Sequence, residues 1–256
     1  MKLIVTGSAD AFNAAGRGHS CYWLEGMARD PLMVDFGATA LAALRRFELD
    51  PGRLGTILVT HLHGDHVAGL PFLIIDGMFN QLRTAPLRLI GPPGTGERVE
   101  GLLQLCYASA AEAERPFRIE LVEIEPGDEV PLEQARVRAL RAEHGSGPDP
   151  ALGYRLQREA GPCVVFSGDT AMTEELLDAA EGADLLVAEC SALEDPGSGH
   201  CSWAQWRRLL PEMSTGRVLL SHLPAEVRAE VARSAPDGGP PVQLADDGLV
   251  VELSPA

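Results

Sequence analysis

Thr60-His61-Leu62-His63-Gly64-Asp65-His66 sets three imidazoles and a carboxylate directly after the apolar run Thr56-Ile57-Leu58-Val59. Imidazole nitrogen and carboxylate oxygen are ligands that divalent zinc, manganese and iron accept. One mononuclear site would not need four ligand side chains at such close spacing. A tight turn after a strand can send His61 and His63 to one metal, and Asp65 and His66, further round the turn, can face a second. Two metals held close together can share a bridging hydroxide for hydrolysis.

On either side of this cluster, short apolar segments alternate with amphipathic ones. Strands are expected at Leu3–Thr6, Cys21–Glu25, Leu32–Asp35, Thr56–Thr60, Leu87–Ile90, Phe117–Ile124, Val137–Ala142, Leu152–Gln157, Cys163–Ser167, Asp184–Glu189 and Val218–Ser221. Thr39 is placed to cap a helix running to Phe47. Further helices are expected over Val67–Leu82, from Gly91-Pro-Pro-Gly-Thr-Gly to about Ala108, and over Thr173–Ala180, Ser202–Leu210 and Pro224–Arg233. Val242–Leu244 and Leu249–Glu252 form a closing hairpin in this reading. Each half of the chain supplies strands followed by helices, a pattern that suits two sheets packed face to face with helices outside. No linker divides it, so residues 1–256 are expected to form a single domain.

The 256 residues are 45% hydrophobic, enough for one large core, and mean hydropathy is near zero. Net charge is −16, from 37 acids against 21 bases. That disfavours a partner held through a phosphate backbone, and argues against long nucleic acid. A small phosphorylated substrate stays open, because bound dications reverse the local field. The five cysteines (Cys21, Cys106, Cys163, Cys190 and Cys201) are odd in number and form no CxxC pair, so buried thiols in a cytoplasmic protein are expected. No stretch resembles a signal peptide or approaches the length of a membrane span.

Three more potential ligands stand where strands end: His144 after Val137–Ala142, Asp169 in Ser167-Gly168-Asp169-Thr170, and His222 in Leu219-Leu220-Ser221-His222. Residues delivered by the ends of separate strands can converge on one edge of a sheet. Together with the first cluster they supply what a dinuclear centre needs, including a carboxylate to bridge. The ordered set His61-x-His63-x-Asp65-His66, His144, Ser167-Gly168-Asp169-Thr170, Ser221-His222-Leu223 resembles the metallo-β-lactamase-fold hydrolases. The resemblance covers nearly the whole chain. It implies an α/β (α+β) fold, a four-layer αββα sandwich with the metals at one edge. It further implies that His61, His63 and His144 bind one metal, that Asp65, His66 and His222 bind the other, and that Asp169 bridges them. Zinc is the expected cation, with manganese and iron as alternatives.

Gly69-Leu70-Pro71, Gly18-His19-Ser20-Cys21 and Asp184-Leu-Leu-Val-Ala-Glu189 resemble ribonuclease Z and its phosphodiesterase relatives. Gly199-His200-Cys201-Ser202-Trp203 is similar to that branch's motif carrying a catalytic His. An imidazole beside the metals can stabilise developing charge or protonate a leaving alkoxide. Glu189 ends an apolar strand and is placed to orient a metal-site imidazole such as His200, and Asp65 is expected both to ligate and to orient the hydroxide. Ribonuclease Z carries a long arm between the equivalents of His144 and Asp169 that grips transfer RNA, and this chain has no room for one. The expectation is therefore a dinuclear phosphodiesterase acting on a small phosphodiester such as a cyclic nucleotide or short nucleotide ester. Acyl hydrolysis (a thioesterase or lactonase on the same metals) is the alternative, with transfer-RNA 3′-end processing behind it. A homodimer is what the resemblance suggests.

Overall fold

The computed structural model describes residues 1–145, 150–197 and 199–254. The chain begins with β1 (Lys2–Gly7), β2 (Cys21–Glu25), β3 (Leu32–Val34), α1 (Ala40–Arg46), β4 (Thr56–Leu58), α2 (Gly64–Val67) and α3 (Leu70–Ile75). Next come β5 (Leu87–Gly91), α4 (Thr95–Cys106), α5 (Ala108–Ala111), β6 (Ile119–Glu123), β7 (Glu129–Pro131), β8 (Ala135–Ala142), β9 (Ala151–Arg158) and β10 (Cys163–Phe166). It ends with α6 (Glu174–Ala180), β11 (Leu185–Glu189), α7 (Trp203–Leu209), β12 (Val218–Ser221), α8 (Ala225–Ser234), β13 (Val242–Leu244) and β14 (Val250–Glu252). The Gly/Pro loop expected after His144 falls largely at 146–149 and lies outside the described residues.

Two seven-stranded sheets form, in the orders β14-β1-β2-β3-β4-β5-β6 and β13-β12-β11-β10-β9-β8-β7. The two-residue period of a strand decides their packing. Leu3, Val5, Leu24, Val34 and Leu58 of the first sheet meet Val137, Leu156, Val164, Phe166, Val187 and Leu219 of the second in one core. The alternate residues Ile4, Trp23, Met33, Ile57 and Leu89 pack under Leu44, Leu70, Leu73, Val99 and Leu103 of the first set of helices. Val165, Leu186, Ala188 and Leu220 pack under Leu176, Trp206, Val227 and Val231 of the second. Three apolar cores thus separate four layers, the expected αββα sandwich.

The strands run so that one edge collects their carboxyl ends. β3, β4 and β5 are mutually parallel, as are β10, β11 and β12. β8 is antiparallel to β9, and β9 to β10, so β8 ends on the same side as β10.

Four local expectations are corrected. The Val67–Leu82 helix is broken: α2 ends at Val67, α3 starts at Leu70, and Asp76–Asn80 is a π-helical turn. Pro71 supplies no N–H, and at Gly69 a Cβ would lie 2.2 Å from the Gly37 carbonyl oxygen, so the chain must bend inward there. The closing hairpin does not form. β13 pairs in parallel with β12, whereas β14 pairs with β1 of the other sheet. The Asp246-Asp247 turn between them is anchored instead, Asp247 accepting from Ser8 Oγ and Gly18 N and Asp246 pairing with Arg17. Thr39 stands at the N-cap of α1 as expected, but its hydroxyl makes no capping bond and instead accepts the His19 N–H at 2.9 Å. β7, absent from the sequence reading, pairs with β8 as an edge strand.

Among the described residues there is no disulfide; Cys21, Cys163, Cys190 and Cys201 are buried, but Cys106 is exposed. No helix among them is long and apolar enough to cross a membrane.

Candidate metal centre

All seven expected ligands meet at the carboxyl edge. His61 leaves β4, His63 is the residue before α2, and Asp65 and His66 lie within that helix. His144 follows β8, Asp169 follows β10, and His222 follows β12. Asp169 is central. Its Oδ2 lies 3.9 Å from His61 Nε2, 3.5 Å from His66 Nε2 and 3.3 Å from His222 Nε2. Asp65 Oδ2 lies 3.2 Å from His66 Nε2 and 3.4 Å from His222 Nε2. On the other flank His63 Nδ1 and His144 Nε2 are 3.1 Å apart.

Two neighbouring groups of ligand atoms result: His61, His63 and His144, and Asp65, His66, Asp169 and His222. Nε2 of both His61 and His66 is buried without a hydrogen-bond partner. Native interiors rarely leave such atoms unpaired, and nitrogen-and-carboxylate sets of this kind suit divalent cations. The residues present fit divalent metal ions.

Three of these imidazoles are steered by their other nitrogen. His144 Nδ1 donates to the Gly199 carbonyl at 2.7 Å, leaving Nε2 free to face the cluster. His66 Nδ1 lies 2.7 Å from Asp35 Oδ2, and Asp35 also accepts from Thr60 N–H at 2.8 Å and from its hydroxyl. His222, in the left-handed region with φ 54°, turns its Nδ1 to Ser191 Oγ at 2.9 Å. Asp35 and Ser191 escaped the sequence reading. Asp35 stands at a strand end like the ligands, in Met33-Val34-Asp35-Phe36-Gly37, and that position is the signal that could have found it.

His200 is brought in as expected. Its Nδ1 is 2.8 Å from Glu189 Oε1, which also accepts the Thr170 N–H at 3.0 Å. The ring stacks on His222 at 5.9 Å and meets His144 edge-on at 4.7 Å. Ser202 and Gln205 form a reciprocal capping box for α7, which leaves the His200 ring to the cluster. Trp206, buried in the second helical core, holds the Glu189 carbonyl through Nε1 at 2.9 Å. His19 also reaches this neighbourhood. It is buried, its Nδ1 has no partner among the described residues, and burial holds its imidazole below the ordinary value despite Asp65.

Without metals, protons must balance the buried charges. Burial and the neighbouring His66 push His61 well down, and burial with His144 lowers His63. Burial opposes charge on His222, but Asp169 and Asp65 outweigh it and raise the ring to about 9. Burial likewise opposes charge on Asp65, yet the neighbouring His222 and His66 rings hold it well below the carboxylate range. His200 is raised, because Glu189 outweighs its burial.

Known proteins share this fold. The domain model of the beta-lactamase superfamily matches residues 30–223. Ribonuclease Z from Methanothermobacter thermautotrophicus is 26% identical over 308 aligned residues, covering 99% of this chain and 97% of its own. Human tRNase Z, short form, superposes with a TM-score of 0.77 at 22% identity, covering 99% of each chain. A diphosphatase from the PhnP family superposes with a TM-score of 0.75 at 17% identity, covering 100% of this chain and 99% of that one. With its sandwich, its ligand edge and these relatives together, the chain belongs to the beta-lactamase superfamily, as a ribonuclease Z-like metal-dependent hydrolase of the metallo-β-lactamase fold.

Proposed function

We propose that residues 1–256 act as one cytoplasmic hydrolase domain that cleaves small phosphodiesters, with His200 as the proton donor to the leaving oxygen. The observation that carries this reading is the 2.8 Å contact of His200 Nδ1 with Glu189 while the same ring lies against His144 and His222. Held by His61, His63 and His144 on one side, by Asp65, His66 and His222 on the other, and by Asp169 between them, two divalent cations, zinc foremost, would lower the pKa of a water and neutralise phosphoryl oxygens.

The protein's own groups do the rest. Hydrolysis forms one P–O bond to the oxygen of water and breaks the P–O bond to the leaving group. His200 Nε2 delivers a proton to that departing oxygen, and Glu189, bonded to Nδ1, orients the ring and favours its protonated form. Asp65, within 3.4 Å of two ligand rings, is placed to orient the attacking water. Two features support a small substrate. The net charge is −16, which repels a long polyanion. The interval between His144 and Asp169 holds β9 and β10 rather than a long arm. A homodimer is the assembly this reading carries.

The test is hydrolysis of bis(p-nitrophenyl) phosphate by zinc- or manganese-loaded protein, with a thioester and a lactone in parallel. Diester cleavage that vanishes in His63→Ala is expected. Turnover of the thioester or lactone alone would overturn the phosphodiesterase reading in favour of acyl hydrolysis.

A further inference from the structure

Glu189 is shared by two imidazoles, and Ser191 makes the second connection. The carboxylate takes only donors: His200 and the Thr170 N–H at Oε1, and the Ser191 hydroxyl at Oε2, 2.7 Å away. The other oxygen near that hydroxyl is the His222 carbonyl at 3.2 Å, again an acceptor. A serine hydroxyl has one hydrogen. With that hydrogen directed to oxygen, Ser191 Oγ can only accept from His222 Nδ1, 2.9 Å away. A proton of His222 is thereby fixed on Nδ1, and Nε2 is the nitrogen left to face Asp65 and Asp169 and to offer its lone pair to a bound metal.

We infer that Ser191 is a positioning residue that sets the tautomer of His222 and, through Glu189, couples the orientation of that metal-facing ring to the orientation of His200. The inference rests on the dinuclear reading above. It makes the chain His222–Ser191–Glu189–His200 a single unit, in which the ring facing the metals and the ring facing the leaving group share one carboxylate. His222 sits at a left-handed backbone position, φ 54°, that side chains adopt at a cost. The Ser191 contact at 2.9 Å ties down the ring of this strained residue. Ser191 is itself part-exposed and outside the apolar cores, so its hydroxyl can be removed without opening a packing defect.

The experiment compares wild type, Ser191→Ala and Ser191→Thr, each titrated with zinc against a competing chelator. In Ser191→Ala the second zinc equivalent should bind about 10- to 100-fold more weakly with the first unchanged, the loss typical of removing a hydrogen-bond partner from a ligating His. The ring N–H proton of His222, assigned by NMR in the zinc-loaded protein, should lose its protection from exchange. Ser191→Thr, which keeps the hydroxyl, should restore both. Thermal melting of the metal-free variants checks folding, and near-identical midpoints are expected. If Ser191→Ala binds both equivalents as tightly as wild type and keeps a protected His222 ring proton, the positioning role is wrong. If wild type binds two zincs and shows these Ser191 effects yet cleaves no diester, the proposed reaction fails and the role of Ser191 stands.

Discussion

His66 Nδ1 sits 2.7 Å from Asp35 Oδ2, and both groups are almost fully buried. The contact decides which ring nitrogen of His66 carries a proton: with Nδ1–H donated to the carboxylate, the unpaired Nε2 keeps its lone pair for a metal. Asp35→Asn leaves the volume nearly unchanged but can present an amide N–H to that nitrogen, driving the proton to Nε2. The expected result is about 10- to 100-fold weaker metal binding or activity. Chelator titration at fixed pH measures it, and wild-type affinity in the variant would show that Asp35 does not set the tautomer.

His200→Ala removes the proposed proton donor while leaving every proposed ligand in place. A loss of about 10²- to 10⁴-fold in kcat is expected, the range typical of general acid catalysis, with two metals per chain retained. Metal analysis beside steady-state kinetics separates the outcomes. Full activity would remove His200 from the mechanism, and lost metal would make it a ligand.

The pH dependence follows from Glu189. Burial lowers and Glu189 raises the His200 value, with the raising effect dominant, so the protonated donor persists above the ordinary histidine value. Glu189→Gln removes that support. The alkaline limb of the kcat profile should then move to lower pH at matched metal occupancy. An unmoved limb would show that His200 is not the group titrating there.

The ligand edge was legible because its residues are chemically rare and spaced by the fold itself. His61, His63, Asp65 and His66 follow one apolar strand, and His144, Asp169 and His222 each stand just past another. The unbroken apolar runs Leu3-Ile4-Val5 and Leu185–Ala188 also announced strands buried on both faces. What escaped depends on contacts between distant segments. Nothing in Val242–Leu244 says that it pairs with β12 while Val250–Glu252 pairs with β1. Ser191 is an ordinary residue in sequence and gains its proposed role only because His222, 31 residues further along the chain, meets it beside Glu189.

Gly37 tests the packing behind Asp65. A Cβ at this position would lie 1.9 Å from the Asp65 carbonyl oxygen and 2.9 Å from His19 Cβ. Backbone cannot yield as a flexible side chain does, so Gly37→Ala must displace the turn carrying Asp65 and His66. Destabilisation of about 1–3 kcal/mol is expected, together with weaker binding of the second metal. Denaturant unfolding and zinc titration read the two effects. A variant as stable as wild type would mean that the turn relaxes freely, and Asp65 would then need another anchor.

Metal removal should make stability depend on pH in a defined window. His222 is held near 9 in the folded protein, against about 6.5 in an unfolded chain. Because the folded value is the higher one, its contribution is fully present below about 6.5 and is lost as pH rises through 9. His66, raised by Asp35 and Asp169 over the opposing effect of burial, acts in the same sense. His61 is lowered by burial, so its effect falls below the ordinary histidine value and leaves this window untouched. In chelator-treated protein the melting midpoint should therefore fall between pH 6.5 and 9. Zinc-loaded protein should not show this fall, because cations then balance Asp65 and Asp169 in place of the protons. A flat metal-free profile across that window would mean that the buried carboxylates are not balanced by histidine protons, and would remove the electrostatic basis for placing the second cation among Asp65, His66, Asp169 and His222.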